Sequence, residues 1–276
     1  MSAATAIVLF QVVAGIAIAM ASLEIIVARG YLHVSAIASW DVAKLRLSVF
    51  VGRRERMWDK LFGYRSVIGL QLIRLVTAVV LVIGALTAAT PALLGGLTLL
   101  LAGAQVALFI RDPNGWDGAD QLLVIGLVPI GIAQLAQSET MALLALYFLT
   151  TQVVLSYLTA GLWKLASATW RRTPALTAIL LTRDYGTPSL GRWLDRYPTL
   201  GRVFGWSVIM WEIGFVLALF APPGVLIAVL AAGLAFHLST ALLMGLTSFF
   251  LAFCATYPAV YFTGGQLRSL LMGWFG

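Results

Sequence analysis

The sequence predicts an all-α integral membrane protein: a polytopic helical bundle of about eight membrane segments with additional interfacial helices. Of its 276 residues, 61% are hydrophobic and only 11% are charged, and the mean hydropathy is +0.96. A soluble domain has about 25% charged residues because its surface faces water. The apolar runs are long and continuous instead of alternating, so helices, and not a β-barrel, are expected to satisfy the backbone in lipid.

Eight apolar runs are the predicted membrane segments. Most approach the ~20 residues needed to cross the hydrocarbon core, whereas two, at 121–137 and 247–263, are short. Turn residues separate them, as at Thr90-Pro91 and at Pro222-Pro223-Gly224. We find no internal repeat, and we predict one transmembrane domain over 1–276. The runs lie at about 4–28, 66–88, 91–110, 121–137, 141–165, 203–221, 224–243 and 247–263.

The basic residues are clustered and predict the topology. Eight Lys and Arg lie from Arg29 to Arg65 and seven more from Lys164 to Arg202. Because cytoplasmic loops are enriched in Lys and Arg, the N-terminus is predicted outside and the loops 29–65 and 164–202 in the cytoplasm. Of the eighteen basic residues, only Arg74 and Arg268 depart from this assignment. Membrane lipids are thus the expected partner, and no nucleic-acid-binding module is visible.

Both basic loops mix large apolar residues with the charges. The stretch 33–50 mixes Trp40 and Phe50 with Lys44 and Arg46, and the stretch 168–200 mixes Trp170 and other large apolar residues with five arginines. This composition is compatible with helices that lie in the headgroup plane. A basic loop held by a few buried apolar anchors explains it equally well.

Ionisable residues inside membrane segments are costly and therefore mark candidate sites. Glu212 and His237 are mid-segment, and they form either a hydrogen-bonded polar pair that joins adjacent helices or a pair that handles a proton or orients a cofactor. Arg74 either pairs with a carboxylate or binds a lipid phosphate. No metal site is predicted, because the second of the two histidines, His33, lies in a remote loop.

A further candidate lies at the end of the fifth segment. Tyr157, Gly161 and Lys164 recur at i, i+4 and i+7, so they share one helix face. Flanked by Trp163 and Trp170, Lys164 is either an interfacial lysine that reaches the headgroups or a lysine in a low-dielectric site that acts as a base. The spacing alone leaves both readings open.

Two motifs resemble the horizontally transferred transmembrane domain family, which includes the vitamin K-dependent gamma-carboxylase. The segment from Tyr157 to Trp170 is similar to the family's Tyr-x-x-Ala-Gly-x-x-Lys-Leu…Trp signature. The segment 236–250 is similar to its Phe-His-x(7–8)-Gly-x(2–4)-Phe helix, and Glu212 occupies the place of an acidic residue in the preceding helix. The resemblance covers about residues 66–265.

The resemblance implies a role for each matching residue. Lys164 would be the base that deprotonates a reduced vitamin K-type quinone, with His237 and Glu212 beside it in the pocket. The remaining predicted cofactor-binding residues are Tyr157, Gly161, Trp170 and Arg74. The carboxylase has a histidine in the loop that corresponds to 111–120, and this chain has none there. We therefore expect quinone-linked chemistry in place of glutamate carboxylation.

Two functions of different classes follow. One is a small bacterial carboxylase-like membrane enzyme that oxidises a lipophilic quinol in the cytoplasmic (inner) membrane. The other is a non-enzymatic scaffold or accessory subunit that helps a small peptide mature or be exported, or that joins a membrane protein complex. A transporter ranks third, because the sequence shows no inverted repeat.

Overall fold

The computed structural model describes residues 1–33, 36, 38–46, 48–112, 117–183 and 185–275. All regular elements in these ranges are helical, which confirms the all-α prediction. The predicted interfacial segment 33–50 and the loop 111–120 fall partly outside the described residues. The helices, in chain order, are α1 Ala3–Val27, α2 Trp40–Ala43, α3 Glu55–Phe62, α4 Tyr64–Leu86, α5 Pro91–Arg111, α6 Gly118–Ala136, α7 Glu139–Ala166, α8 Ala168–Arg172, α9 Ala175–Leu180, α10 Pro188–Asp195, α11 Pro198–Gly214, α12 Pro223–Met244 and α13 Thr247–Phe275.

Among the described residues, seven helices are long and apolar enough to cross a membrane, so the chain is a multi-pass membrane protein. They are α1, α4, α5, α6, α7, α12, and α11 together with the 3₁₀ segment Phe215–Phe220 that continues it. The eighth predicted segment is also helical, but α13 has 29 residues and extends well beyond the predicted 247–263. Polar groups on buried side chains such as Thr256, Tyr257 and Thr263 lower the mean hydropathy of α13, so α13 is not among the seven candidate spans.

The ends of the long helices follow local sequence rules. Pro91, Pro198 and Pro223 each lie in the first turn of a helix. Proline is tolerated there because the N–H groups of the first turn have no acceptor within the helix. The Asp117 side chain caps α6 by accepting from the backbone N–H groups of Ala119 and Asp120. Gly245, at φ +72°, ends α12 in the left-handed conformation that glycine adopts without strain.

The described chain divides into two compact units. The N-terminal unit is Ile7–Ala145, and the C-terminal unit combines Met1–Ala6 with Leu146–Gly276. The prediction of one domain over 1–276 stays a prediction. In the N-terminal unit, Gln11 Nε2 donates to Thr98 Oγ1 at 2.9 Å and Gln134 Nε2 donates to Gln11 Oε1 at 3.2 Å, so amide groups join α1, α5 and α6 in the interior.

The predicted interfacial segments contain short helices. The predicted segment 33–50 contains α2, the predicted segment 168–200 contains α8, α9 and α10, and α3 follows the first segment. On α10, Gly191 and Leu194 are buried while Arg192 and Trp193 are exposed, which is the two-faced pattern expected of a helix that lies on a surface. The short helices agree with the first of the two alternatives that the sequence left open, and their position in the headgroup plane stays a prediction.

Candidate functional site

Lys164 and Glu212 form an ion pair in the C-terminal unit. Lys164 Nζ lies 2.6 Å from Glu212 Oε1 and 2.7 Å from Oε2. The Glu212 side chain is 5% exposed, whereas that of Lys164 is 21% exposed. A charge-assisted contact to both carboxylate oxygens is among the strongest polar interactions available in a low-dielectric interior. The lysine end of the pair is the end that remains within reach of a ligand.

A glycine on α7 allows this pair to form. A Cβ at Gly161 would lie 2.8 Å from Ile213 Cγ1 and 3.0 Å from Glu212 Cβ, closer than real Cβ contacts. The missing side chain therefore lets the backbones of α7 and α11 approach closely. Because Gly161 and Lys164 share one face of α7, the same approach brings the ammonium group to the carboxylate.

The indole ring of Trp170 also lies close to the Lys164 ammonium group. Lys164 Nζ lies 5.4 Å from the centroid of the Trp170 ring, within the range of a cation–π contact. Ser167 caps α8 by accepting from the backbone N–H of Trp170, and this cap positions the indole after α7 ends. The signature residues Gly161, Lys164 and Trp170 are thus close in space as well as in sequence.

Tyr157 links the two predicted motifs through a hydrogen-bonded network. Its hydroxyl lies 2.7 Å from His237 Nε2 and 2.7 Å from the Tyr257 hydroxyl. One hydroxyl proton allows one donated bond, so Tyr157 donates to one neighbour and accepts from the other. The chain of bonds therefore runs either from Tyr257 towards His237 or in the reverse direction. All three side chains are buried.

Aromatic rings enclose this network. The Tyr157 ring centroid lies 4.4 Å from that of Phe215, 4.8 Å from Trp211 and 4.9 Å from Phe253. The imidazole of His237 stacks on Phe253 with centroids 4.1 Å apart and planes at 15°. The side chains of Tyr157, His237 and Tyr257 therefore lie in an apolar environment lined by aromatic rings.

Sequence reasoning missed four members of the site: Trp211, Phe215, Phe253 and Tyr257. Phe253 and Tyr257 are four residues apart on α13 and so share a helix face, but aromatic residues at this spacing are common in any membrane helix. Trp211 directly precedes Glu212, but this adjacency in sequence does not indicate that the two side chains belong to one site. The Trp211 Nε1 atom is buried and has no hydrogen-bond partner, so it is a free donor inside the site.

Arg74 belongs to the N-terminal unit, apart from the residues above. It is 3% exposed, and its Nη1 donates to Gln71 Oε1 at 2.7 Å while its Nη2 donates to Gln105 Oε1. Gln105 Nε2 in turn donates to Asp120 Oδ1 at 2.8 Å, so an amide side chain links the guanidinium to its carboxylate. Of the two alternatives in the sequence, this arrangement is closer to pairing with a carboxylate. The predicted cofactor role of Arg74 stays a prediction.

No family model, curated protein or solved structure matches this chain. Within the described part of the chain, no three His, Cys, Asp or Glu side chains are grouped so that they could hold a metal ion. The class defined by the fold and the site is therefore a multi-pass helical membrane protein with a buried Lys–Glu pair beside a Tyr–His–Tyr network. The family resemblance continues to rest on the two sequence motifs.

Proposed function

We propose that the C-terminal unit is a membrane-embedded proton-accepting site for a lipophilic hydroquinone of the vitamin K type. The observation that carries this proposal is the Lys164–Glu212 pair, buried at the carboxylate and partly exposed at the ammonium group. Ionisable groups inside a membrane protein are retained chiefly where they act on a substrate, an ion or a proton. The resemblance of Tyr157–Trp170 and 236–250 to the horizontally transferred transmembrane family supports the same reading.

The pair can take up one proton as a unit. Before uptake it consists of an ammonium group and a carboxylate, and afterwards of an ammonium group and a carboxylic acid. The proton therefore ends on a Glu212 oxygen, and Lys164 keeps its charge. That cation stabilises the negative charge that develops on a bound oxygen when its proton leaves. The family resemblance implies Lys164 as the base, whereas we propose that its partner Glu212 holds the proton at the end.

The residues present fit a hydroquinone. When bound, such a group supplies an acidic O–H and two electrons for oxidation. The unpaired Trp211 Nε1–H is a donor that a ligand oxygen would satisfy, and an unsatisfied buried donor otherwise costs about 1–3 kcal/mol. Phe215, Phe253 and the ring of Tyr157 provide flat apolar surfaces of the kind that line cofactor sites.

Retention of membrane quinone tests this proposal. Purified protein should carry quinone, detected by solvent extraction and mass spectrometry, and Glu212→Gln should reduce the amount about tenfold because an uncharged amide replaces the charged partner. Thr159→Ala is a matched control, since Thr159 is exposed on the same helix and its hydroxyl donates only to the Leu155 carbonyl oxygen and to that of Ser156. Equal quinone content in all three proteins would contradict the proposal.

We further propose a bacterial inner-membrane location, with the N-terminus outside and the loops 29–65 and 164–202 in the cytoplasm. The asymmetry of Lys and Arg supports this orientation. A single cysteine introduced at Ser138 should react with an impermeant thiol reagent in intact cells, in a Cys254→Ser background. Cysteines at Arg54 and Arg192 should react only after the cells are opened. Labelling of the Arg192 position from outside would reverse the assignment.

A second candidate function is a scaffold or accessory subunit for a small peptide or a membrane complex. Two observations favour it. The Tyr157 hydroxyl already has two hydrogen-bond partners within the chain, and the hydroxyls of Thr150 and Thr263 lie 2.9 Å apart. Such contacts are typical of polar groups that hold membrane helices together. If it is correct, Lys164→Arg leaves function intact, because arginine keeps both the charge and the reach of lysine. If the proton-accepting site is correct, Glu212→Gln is the variant that loses function, because the amide cannot take up the proton although it can still accept a hydrogen bond from Lys164.

A further inference from the structure

The N-terminal unit contains a small folded element before α4, which we call the cap: residues 38–62, with position 47 outside the described chain. Its polar centre is Lys44, whose Nζ lies 2.9 Å from Glu55 Oε1, 3.1 Å from Asp59 Oδ1 and 3.5 Å from Asp41 Oδ1. Trp40 Nε1 also donates to Asp59 Oδ1 at 2.8 Å. All three carboxylates of the cap are therefore directed towards one lysine.

The protonation states of the cap follow from these contacts. The hydrogen bond to Glu55 raises the pKa of Lys44 above its ordinary value, and contacts with Asp59 add to the effect. Partial desolvation alone would raise the pKa of the Asp59 carboxyl, but hydrogen bonds from Trp40 and Lys44 outweigh it and hold that pKa below the usual range. The lowered pKa of the Asp59 carboxyl and the raised pKa of Lys44 thus both favour the ion pair between them.

The cap is also held rigidly. The rings of Trp40, Phe50, Trp58 and Phe62 pack together, with Trp58 and Phe62 stacked at 5.8 Å. Buried Arg111 donates to the carbonyl oxygens of Ala38 at 3.0 Å and Phe62 at 3.2 Å, at the two ends of the cap. The outer surface of the cap is therefore a fixed platform.

That outer surface is basic and apolar. On α3, Trp58 and Phe62 pack into the ring cluster, whereas the exposed residues are Arg56, Met57, Lys60 and Leu61. Arg53 and Arg54, directly before α3, are exposed as well, and Leu45 is 71% exposed. Within the described chain these four cations make no ion pair.

The short distance along the chain between α3 and the candidate span α4 favours a membrane lipid as the partner of the basic surface. A single residue, Gly63, separates the end of α3 at Phe62 from the start of α4 at Tyr64, and α4 is one of the seven candidate spans. Gly63 is extended, at φ −62° and ψ 165°, so α3 does not continue the axis of α4. A helix of eight residues is about 12 Å long, so the whole of α3 stays near the level where α4 enters the membrane.

We propose that the outer face of the cap binds the headgroup phosphates of anionic phospholipids in the leaflet that α4 enters. Guanidinium groups match phosphate oxygens through two parallel hydrogen bonds, which suits Arg53, Arg54 and Arg56. Exposed Met57 and Leu61 contact the apolar boundary beneath the headgroups, as in other interfacial helices. The three carboxylates are partly exposed, but Lys44 offsets one of their charges, and the four outer cations, Arg53, Arg54, Arg56 and Lys60, outnumber the two negative charges that remain.

Lipid titration of the purified full chain tests this proposal. The protein in detergent is titrated with phosphatidylglycerol or phosphatidylcholine, and bound lipid is counted by native mass spectrometry. Phosphatidylglycerol should bind more tightly, and Arg56→Gln/Lys60→Gln should weaken it about tenfold, since each cation near the surface contributes to the attraction. Arg192→Gln/Arg196→Gln, which removes two exposed cations from the C-terminal unit, should retain most of the affinity.

Three outcomes would overturn the proposal: equal affinity for the two lipids, wild-type affinity in Arg56→Gln/Lys60→Gln, or equal losses in the two double variants. The last outcome would show that net charge, and not the cap, attracts the lipid. Arg56 and Lys60 are exposed and unpaired, so their replacement should not disturb folding. Should that variant fail to fold, Arg53→Gln/Arg54→Gln provides the same test from outside α3.

Discussion

Replacement of Lys164 by methionine is expected to destabilise the protein by about 3–5 kcal/mol, the usual cost of leaving one partner of a buried ion pair alone. The Glu212 carboxylate would remain 5% exposed with no cation within reach of its oxygens. Chemical unfolding of the purified protein in mixed micelles measures the loss. Thr159→Ala, an exposed change on the same helix, should stay within about 0.5 kcal/mol of the wild type.

The double variant Lys164→Met/Glu212→Gln distinguishes the destabilisation caused by the unpaired Glu212 charge from that caused by lost packing of the Lys164 side chain. With both charges removed, no buried ion remains, and most of the lost stability should return. The coupling between the two substitutions should therefore be several times larger than the few tenths of a kcal/mol expected of independent sites. If Lys164→Met is as stable as Thr159→Ala, the pair contributes little and Lys164 is only an interfacial residue.

The second large effect is expected for Gly233→Ala on α12. A Cβ at this position would lie 2.1 Å from Tyr257 Oη and 2.8 Å from Trp211 Cζ2, far inside van der Waals contact. Tyr257 must then move and lose its hydrogen bond to Tyr157, while Trp211 is pushed from its place. Overpacking costs about 1–3 kcal/mol and a buried unsatisfied hydroxyl a similar amount, so we expect a loss of about 2–4 kcal/mol.

Two further variants check this explanation. Gly224→Ala lies on the same helix with no neighbouring atom within 4 Å of the new Cβ, so it should be neutral or stabilise by about 0.5–1 kcal/mol. Adding Tyr257→Phe to Gly233→Ala removes the oxygen that clashes and should restore part of the stability. Equal stability of Gly233→Ala and Gly224→Ala would show that α12 and α13 pack less closely at this level than described.

The sequence predicted the fold well because membrane segments are specified by local composition. Apolar length, proline starts such as Pro91 and Pro223, and the glycine end at Gly245 are all readable without tertiary contacts. The extent of α13 was not readable from hydropathy. Its 29 residues include Pro258 and buried polar side chains, and a helix whose polar groups face inward continues past the point where the apolar signal ends.

The site was predictable only along single helices. The i, i+4, i+7 spacing placed Tyr157, Gly161 and Lys164 on one face, and the structure keeps them there. Pairing across helices depends on rotation and depth, which hydropathy does not specify. Thus Glu212 and His237, predicted as a pair, bond instead to Lys164 and Tyr157, and these contacts, like the one between Tyr157 and Tyr257, required coordinates. Arg74 looked equivalent in sequence, since it too is an ion within a span, yet it has its own amide partners in the N-terminal unit.

Infrared difference spectroscopy on the reconstituted protein tests the proton-accepting site most directly. Addition of a naphthohydroquinone should produce the band of a protonated carboxyl group, because the pair takes up one proton and that proton resides on Glu212. The band should be absent from Glu212→Gln, and absent when the dimethyl ether of the hydroquinone, which has no O–H proton, is added instead. Thr159→Ala should give the wild-type spectrum. A wild-type protein that shows no carboxyl band, or a band that persists in Glu212→Gln, would contradict the assignment of Lys164 and Glu212 as the proton-accepting pair.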